Sequence, residues 1–510
     1  MINLNEINPT EKYIQEFDRT HRAPLHFAFL KLIHDHPKIV KITQVAMTAL
    51  AGVAIVAAVT MPPVSIALGV AAGILLLSAA CSWLMLKYIT CAKHDMAIHT
   101  YKEQRCLHPE TNEEIGKLYY KGDIPVLELK GARPHSWGYA HGYILAPQIS
   151  QLKSNFDRML FAVVPAASQL GTVIEELKKQ IPDDYKTELE GLAEGYNKYA
   201  EENVLSDRIT LEDLIRLHLI PDSKHFHLKP MEKALSKQKK EQRGIVGQLR
   251  EAAGGACTTI LYKDEQHGLI FSRNMDWLPF GKGGSNSLLM HWKRSGIVTI
   301  GAPGLIGAVT GWNKNKVCLA MNVCPGKTKQ VKGMPAILYN RQILESASNV
   351  DGIDRLIEGK DSRPLGAYHL TVADGQGNGK CFSFYNDDRD AKNAPEDQGK
   401  PHFIRNLEEG KPLEVLNWRY PAEEGGSFDS PGRHLLLKQY FTLLKIKGLN
   451  VLEIMRHALK LSKVNSPITM HAVVMRPQKG EIELNVDNGF AASGAYQHTN
   501  MSEFFQEKGG

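Results

Sequence analysis

Between Ile42 and Leu86 the chain has no Asp, Glu, Lys or Arg, a gap of 45 residues. One membrane-crossing helix needs about 20 apolar residues, so the run is too long for a single span. Pro62-Pro63 divides it into Val45–Met61 and Val64–Ile89, which predicts two helices joined by a proline turn. Lys38 and Lys41 lie before the run, Lys87 and Lys93 after it. Basic flanks favour the cytoplasm, so both ends of the hairpin and the domain that follows are expected on that side of a membrane. A buried hydrophobic hairpin in a soluble domain is the alternative. A cleavable leader is not expected, because roughly forty ordinary residues come first.

Other things are scarce. The seven cysteines are odd in number and include no CxxC pair, which excludes a regular disulfide framework and suits free thiols. Lys and Arg total 61 against 55 Asp and Glu. This small excess, clustered only at Lys233–Arg250, does not point to nucleic acid. No short-period repeat is present, and Gly375-Gln-Gly-Asn-Gly reads as a hairpin turn rather than a phosphate loop. His225 and His227, with His218 nearby, have no carboxylate or cysteine at a ligand spacing, so neither a metal nor a cofactor is expected. His135 and His141 are expected to pack or to line a pocket.

What is present is a folded composition, 43% hydrophobic and 23% charged, in a chain long enough for two or three domains. An amphipathic patch at Phe27–Ile33 predicts a short helix. Leu118–Leu129 alternates like a strand pair around Gly122-Asp123, and Gly131–Tyr143 leads toward a helix. From Gln148 to about Ile220 apolar residues recur at three and four spacing, with a capping-box pattern at Thr210–Asp213. Lys233–Arg250 reads as a solvated linker. After it the pattern changes to β-rich runs at Thr258–Tyr262, Leu269–Ser272, Ser287–Trp292, Ile297–Gly301, Val317–Asn322, Tyr368–Ala373, Lys380–Tyr385, Met470–Met475 and Glu481–Val486. Helices are expected at Ala336–Glu345, Asp351–Ile357, Arg433–Leu443 and Val451–Leu461. Strands first, helices in the middle and strands again suit antiparallel sheets with helices on their outer faces, an α+β fold.

Cys257 begins the β-rich half, after Gly254-Gly255-Ala256. A thiol there can attack the Ala256 carbonyl, since the two glycines make that peptide approachable. Cleavage between Ala256 and Cys257 would leave a cysteine carrying its own base, an α-amino group with a pKa of about 8. A buried strand cysteine is the bland alternative. The hairpin from Cys257 to the run Ser272-Arg-Asn-Met-Asp-Trp277 should bring Arg273 and Asp276 back beside it. There Asp276 can hold the amino group and Arg273 a thiolate or a substrate oxygen.

These segments resemble the N-terminal-nucleophile linear amide C–N hydrolases, the superfamily of choloylglycine hydrolase, acid ceramidase and the penicillin acyltransferase type. The likeness runs through Cys257–Thr259, Arg273–Asp276, Gly301-Ala-Pro-Gly-Leu-Ile-Gly307, Gly311-Trp-Asn-Lys-Asn, Leu319-Ala-Met-Asn322 and His369–Gly377. It continues at Leu416-Asn417-Trp418 and Asp429-Ser-Pro-Gly-Arg433, and upstream at Gly138-Tyr-Ala-His-Gly142. Thr259 stands where serine is usual, and Leu416 where threonine is common.

The resemblance implies a four-layer αββα sandwich, preceded here by the two-helix membrane hairpin. It implies Cys257 as nucleophile, Arg273 and Asp276 beside it, Asn322 and Asn417 as oxyanion donors, and Arg433 as a second arginine of the site. The expected divisions are 1–40, an N-terminal cytoplasmic segment; 41–92, the hairpin; 93–256, a mainly helical α subunit; and 257–510, the catalytic β subunit. The two fragments are expected to stay associated after the cut. The expected activity is hydrolysis of a linear amide, with membrane anchorage favouring an N-acylated lipid. Acyl transfer, or an uncleaved membrane-tethered binding module, are the alternatives.

Overall fold

The computed structural model describes residues 8–21, 46, 48–51, 101–163, 170–203, 205–222, 257–276, 287–324, 333–358, 363–385, 402–420, 430–461, 463–466, 468–487 and 490–506. Two compact units emerge: Met1–His21 with Tyr101–Gly510, and Arg22–Thr100. Of the second, only residues 46 and 48–51 are described, in helical conformation. The expected hairpin of residues 41–92 thus lies, apart from these, outside the described residues, as do Phe27–Ile33 and Lys233–Arg250. Among the described residues no helix is long and apolar enough to cross a membrane.

The first unit opens with helix α1 (Pro9–Thr20), then a meander of β1 (Gln104–Leu107), β2 (Glu114–Lys121) and β3 (Ile124–Leu129). Helices α2 (Pro134–Ile144), α3 (Ala146–Val163), α4 (Leu170–Lys178), α5 (Asp183–Glu202) and α6 (Leu211–His218) follow. From residue 257 come β4 (Thr258–Asp264), β5 (Gly268–Asp276), β6 (Leu288–Trp292), β7 (Ile297–Gly301), β8 (Thr310–Asn313) and β9 (Cys318–Val323). Then α7 (Ala336–Ser346), α8 (Val350–Glu358), β10 (Tyr368–Ala373), β11 (Gly379–Phe384), β12 (His402–Asn406) and β13 (Leu413–Val415). The chain closes with α9 (Ser430–Tyr440), α10 (Val451–Ala458), β14 (Thr469–Arg476), β15 (Glu481–Val486) and β16 (Gln497–Asn500).

The strands form two sheets, ordered β1-β2-β3-β6-β7-β8-β9-β10-β11-β12 and β13-β4-β5-β14-β15-β16. All pairs are antiparallel except β3 with β6, where Val126–Leu129 run alongside Leu289–Trp292. Three apolar cores define the layers. Leu261, Phe271, Ala320, Trp312 and Val473 fill the space between the sheets. Leu319, Leu370, Ile343 and Leu192 belong to the core beneath α2, α5, α6, α7 and α8 on the larger sheet. Ile260, Ile270, Leu437 and Ile454 join α9 and α10 to the smaller one, where Phe17 of α1 also packs. The result is helix, sheet, sheet, helix.

Several expectations meet their elements directly. Gly122 turns β2 into β3 with φ +60° and Gly377 turns β10 into β11 with φ +84°. At α6 the Thr210 side chain accepts from Asp213 N, while Asp213 accepts from Thr210 N at 3.0 Å. The segment before residue 257, read as mainly helical, also carries three strands, and these extend the larger sheet across β3–β6. Its helices α2 and α5 cross on glycines: a Cβ on Gly138 or Gly142 would run into the Glu188 or Leu192 carbonyl, and one on Gly191 or Gly195 into that of His135 or Tyr139.

Candidate active site

Strand phase builds the site. In β4 Ile260 and Tyr262 face the helical layer, whereas Leu261 faces the other sheet, so Thr259 and, one step before the strand, Cys257 share the inter-sheet phase. In β5 Leu269 and Phe271 face inward and Arg273 follows in phase. In β9 the inward residues are Cys318 and Ala320, and Asn322 comes next. Thr259 pairs with Arg273 in register. Where the apolar filling between the sheets ends, these polar side chains therefore converge.

The Cys257 Sγ donates toward Asp276 O at 3.6 Å, and Arg273 Nη2 donates to the same sulfur at 3.8 Å. Arg273 Nη1 reaches Asn322 Oδ1 at 3.1 Å and Thr259 Oγ1 at 3.3 Å, and the Thr259 hydroxyl donates to Asn322 Oδ1 at 2.7 Å. Arg273 is fully buried. Its hydrogen-bond acceptors are all uncharged, so the thiolate form of Cys257 is the anion placed to balance it. Burial pushes the Cys257 thiol up, the Arg273 charge pulls it down, and Asp276 opposes the arginine; the net direction is upward. Before any cut, then, this is a neutral thiol.

Arg433, in the first turn of α9, reaches the start of β4 from the other side. Its Nη1 donates to Cys257 O at 2.8 Å and Thr258 Oγ1 at 2.9 Å; its Nη2 donates to Asn417 Oδ1 at 3.1 Å and Ser430 Oγ at 3.0 Å. The two asparagines staple the sheets together. Asn322 Nδ2 at the end of β9 donates to Val415 O of β13 at 2.9 Å, and Asn417 Nδ2 just past β13 donates to Val323 O of β9 at 2.6 Å. A carboxamide nitrogen has two hydrogens. The staple takes one from each, and the second is the one that could meet an oxyanion.

Asp276 ends β5, completely buried, and burial raises its carboxyl to about 6 against the opposing pull of Thr469, Arg433, Ser466 and Arg273. Thr469 donates to its Oδ1 at 2.6 Å and Ser466 to its Oδ2 at 3.3 Å.

All six residues singled out in the sequence therefore belong to one connected cluster: Cys257, Arg273, Asp276, Asn322, Asn417 and Arg433. Ala256 lies outside the described residues, as do His225 and His227. Thr259 and Ser430 stand inside motifs read from the sequence but had no role assigned there; Ser466 and Thr469 escaped it, their only signal a polar Asn465-Ser466 pair set just before a strand. His141 and His218 are structural. Each is buried, and their Nε2 atoms accept from Gly304 N and Ile306 N at 2.9 Å. Burial first, then nearby positive charge, takes His141 down to about 3; burial likewise takes His218 to about 4, so both stay neutral acceptors. His135 lies near the surface beside Glu194. Among the described residues no group of three or more His, Cys, Asp or Glu could hold a metal ion.

Residues 263–397 match the family model of acyl-coenzyme A:6-aminopenicillanic acid acyl-transferase. The span includes Arg273, Asp276 and Asn322; it starts after Cys257 and stops before Asn417 and Arg433. Among solved structures, the Caenorhabditis elegans N-acylethanolamine-hydrolyzing acid amidase ortholog is 15% identical with a TM-score of 0.34, covering 44% of this chain and 93% of that one. A mutant of the conjugated bile acid hydrolase from Clostridium perfringens is 10% identical with a TM-score of 0.33, covering 49% and 95%. No curated protein matches the sequence. Over about a quarter of its length, the stretch that carries the Arg-Asn-Met-Asp segment and Asn322, this chain is thus similar to an acyl-transferase family of the N-terminal-nucleophile type.

Proposed function

We propose that this chain is a cysteine amidase that cuts itself between Ala256 and Cys257 and then hydrolyses a linear amide. The observation that carries the reading is a fully buried guanidinium, Arg273, whose hydrogen-bond partners are neutral and which points one N–H at the Cys257 thiol. Such an arrangement gains most when the sulfur ionises or when negative charge develops next to it.

In this reading the thiol of the intact chain attacks the Ala256 carbonyl; the peptide nitrogen leaves as the α-amine of Cys257, and water releases Ala256 from the thioester. In the mature protein that amine takes the thiol proton, Sγ bonds to the substrate carbonyl carbon, and the proton passes to the departing amine. Water then cleaves the acyl-thioester and regenerates the thiol. Arg433 bound to Cys257 O fixes the backbone of the nucleophile, and Asn322 and Asn417 supply N–H groups for the oxyanion.

The test is a denaturing gel with N-terminal sequencing. Wild type should give two fragments, one starting at Cys257, while Cys257→Ala stays whole; a wild-type chain that never splits overturns the reading. Acyl transfer is the second reading, favoured by the description of the matched family. Adding a primary amine to processed protein and an N-acyl substrate separates the two: transfer gives a new amide, hydrolysis only the free acid. The uncharged run Ile42–Leu86 is the reason to screen N-acylated lipids first.

A further inference from the structure

We propose that Thr469 and Ser466 are positioning residues, a hydroxyl brace that holds the Asp276 carboxylate in place beside Cys257. This rests on the self-processing reading above and on the sequence expectation that Asp276 holds the Cys257 amino group; in the uncut chain the same nitrogen leaves as that amine, so the carboxylate bears on self-cleavage as well.

Three features of the fold make the brace directional. The first is a bulge. β14 pairs with β5 through His471–Met275, Ala472–Asn274 and onward, but Thr469 pairs with Asp276, leaving Met470 as an extra residue. Without that bulge Thr469 would fall one step out of register with Asp276; bulges serve to re-aim a side chain in this way.

The second is proton bookkeeping at Thr469. Its Oγ1 accepts from Ser466 N at 2.8 Å. A hydroxyl has a single hydrogen, and the 2.6 Å contact to Asp276 Oδ1 is where it goes. The Ser466 hydroxyl accepts from Ile468 N at 3.3 Å, and its single hydrogen lies between Asp276 Oδ2 and Thr469 Oγ1, each at 3.3 Å. Oδ1 thus receives a donor that backbone orients, and Oδ2 a second, weaker one that also supports the Thr469 hydroxyl.

The third is that the brace is pinned. Ser466 O accepts from Thr469 N at 3.0 Å and from Phe490 N at 2.9 Å, which ties the turn to the segment after β15. Ser466 and Thr469 are buried, so water cannot readily replace either hydroxyl.

The experiment has an arm that needs no activity. In protein carrying Cys257→Ala, which stays uncut, carbon-13 carboxyl NMR follows the titration of Asp276, assigned by its loss in Asp276→Asn. Thr469→Val should move the midpoint up by about one pH unit, a tenfold change in ionisation. Ser466→Ala should move it less, and Thr469→Ser should leave it in place. A Thr469→Val midpoint that coincides with the parent overturns the brace; if that variant does not fold, Ser466→Ala decides by a smaller upward shift, and no shift overturns it.

The second arm measures self-cleavage against pH without the Cys257 change. The brace predicts that Thr469→Val shifts the acid limb upward and keeps the plateau, with Thr469→Ser restoring the wild-type curve. Equal loss at every pH means a merely structural role and overturns it. If wild type does not cleave, the processing reading fails on its own, and the NMR arm still decides whether the hydroxyls hold Asp276.

Discussion

Arg273 is a cation with no carboxylate among its hydrogen-bond partners, and that is a costly thing to bury. Burial lowers its own pKa, while Cys257 and Asp276 raise it. Arg273→Met should therefore push the Cys257 thiol further up, and iodoacetamide labelling of that residue should move to higher pH. Self-cleavage should fall about 100-fold or more, the scale for losing one preorganised charge donor.

Asp276 carries the opposite sign of cost. Its folded pKa of about 6 lies above the ordinary carboxylate value of 3.8. The folded state thus keeps a proton that the unfolded chain has lost, so stability falls as pH rises from about 4 to 6 and stays lower above that. Asp276→Asn should consequently melt higher than wild type at pH 7, by at most about 3 kcal/mol, and converge with it near pH 4. The same variant should not self-cleave. Greater stability together with lost processing is the signature of a group kept for chemistry rather than for folding.

Cys257, Arg273 and Asp276 could be brought together from sequence alone because they stand on one hairpin, where spacing dictates proximity. Asn322 and Asn417 needed the family resemblance. Ser466 and Thr469 left only the trace of a polar pair before a strand. Hydroxyls beside a strand are ordinary, and only the bulge at Met470 reveals where they point.

Among the elements, those with long apolar or alternating runs were readable: β7, β10 and β15 coincide with their expected spans, and α7 and α8 differ by about a residue at their ends. The elements that went unread are short or lack their own pattern. β8, β13 and β16 span three or four residues each and exist because neighbouring strands offer them an edge. α1 is mostly polar; it is fixed by tertiary contacts, with Thr10 Oγ1 accepting from Asn450 N at 2.8 Å and Phe17 meeting the Tyr440 ring edge-on. In the Gly138-Tyr-Ala-His-Gly142 element the packing role expected for His141 is the one the structure shows. The element's glycines seat α2 against Gly191 and Gly195 of α5, and this close crossing aims His141 at Gly304 N. Gly138→Ala should put a methyl into backbone that cannot move aside as a side chain would. A loss at the upper end of the 1–3 kcal/mol usual for overpacking is expected in urea unfolding of the uncut Cys257→Ala protein.

For the molecule as a whole, the cut before Cys257 would fall inside a single sheet. Residues 101–222 supply β1–β3 of the larger sheet, and β3 is hydrogen-bonded to β6 from beyond the cut. Further contacts join the same two parts. Arg341 Nη2 and Glu188 Oε2 lie 2.8 Å apart with both side chains completely buried, and Trp292 Nε1 donates to Glu188 Oε1 at 2.7 Å. Glu188 and Glu345 hold Arg341 firmly protonated. On the opposite outer layer, Asp18 of α1 lies 3.1 Å from His457 of α10. Separating the fragments would expose the β6 edge and leave Arg341 with Glu345 alone of its two carboxylate partners. After processing, the fragments should therefore co-elute on gel filtration and part only in denaturant. Glu188→Ala removes the buried one of Arg341's two carboxylate partners and should weaken that assembly by less than the roughly 3–5 kcal/mol of a fully stranded charge, since Glu345 remains at 3.0 Å. Glu188→Leu with Arg341→Met removes both buried charges, leaves the partly exposed Glu345 to water, and should recover most of the loss, because it is the under-compensated ion rather than the absent attraction that destabilises. A double variant no more stable than Glu188→Ala would show that the polar pair contributes geometry the apolar pair cannot replace. Fragments that separate freely in the wild type would mean that the shared sheet does not survive the cut.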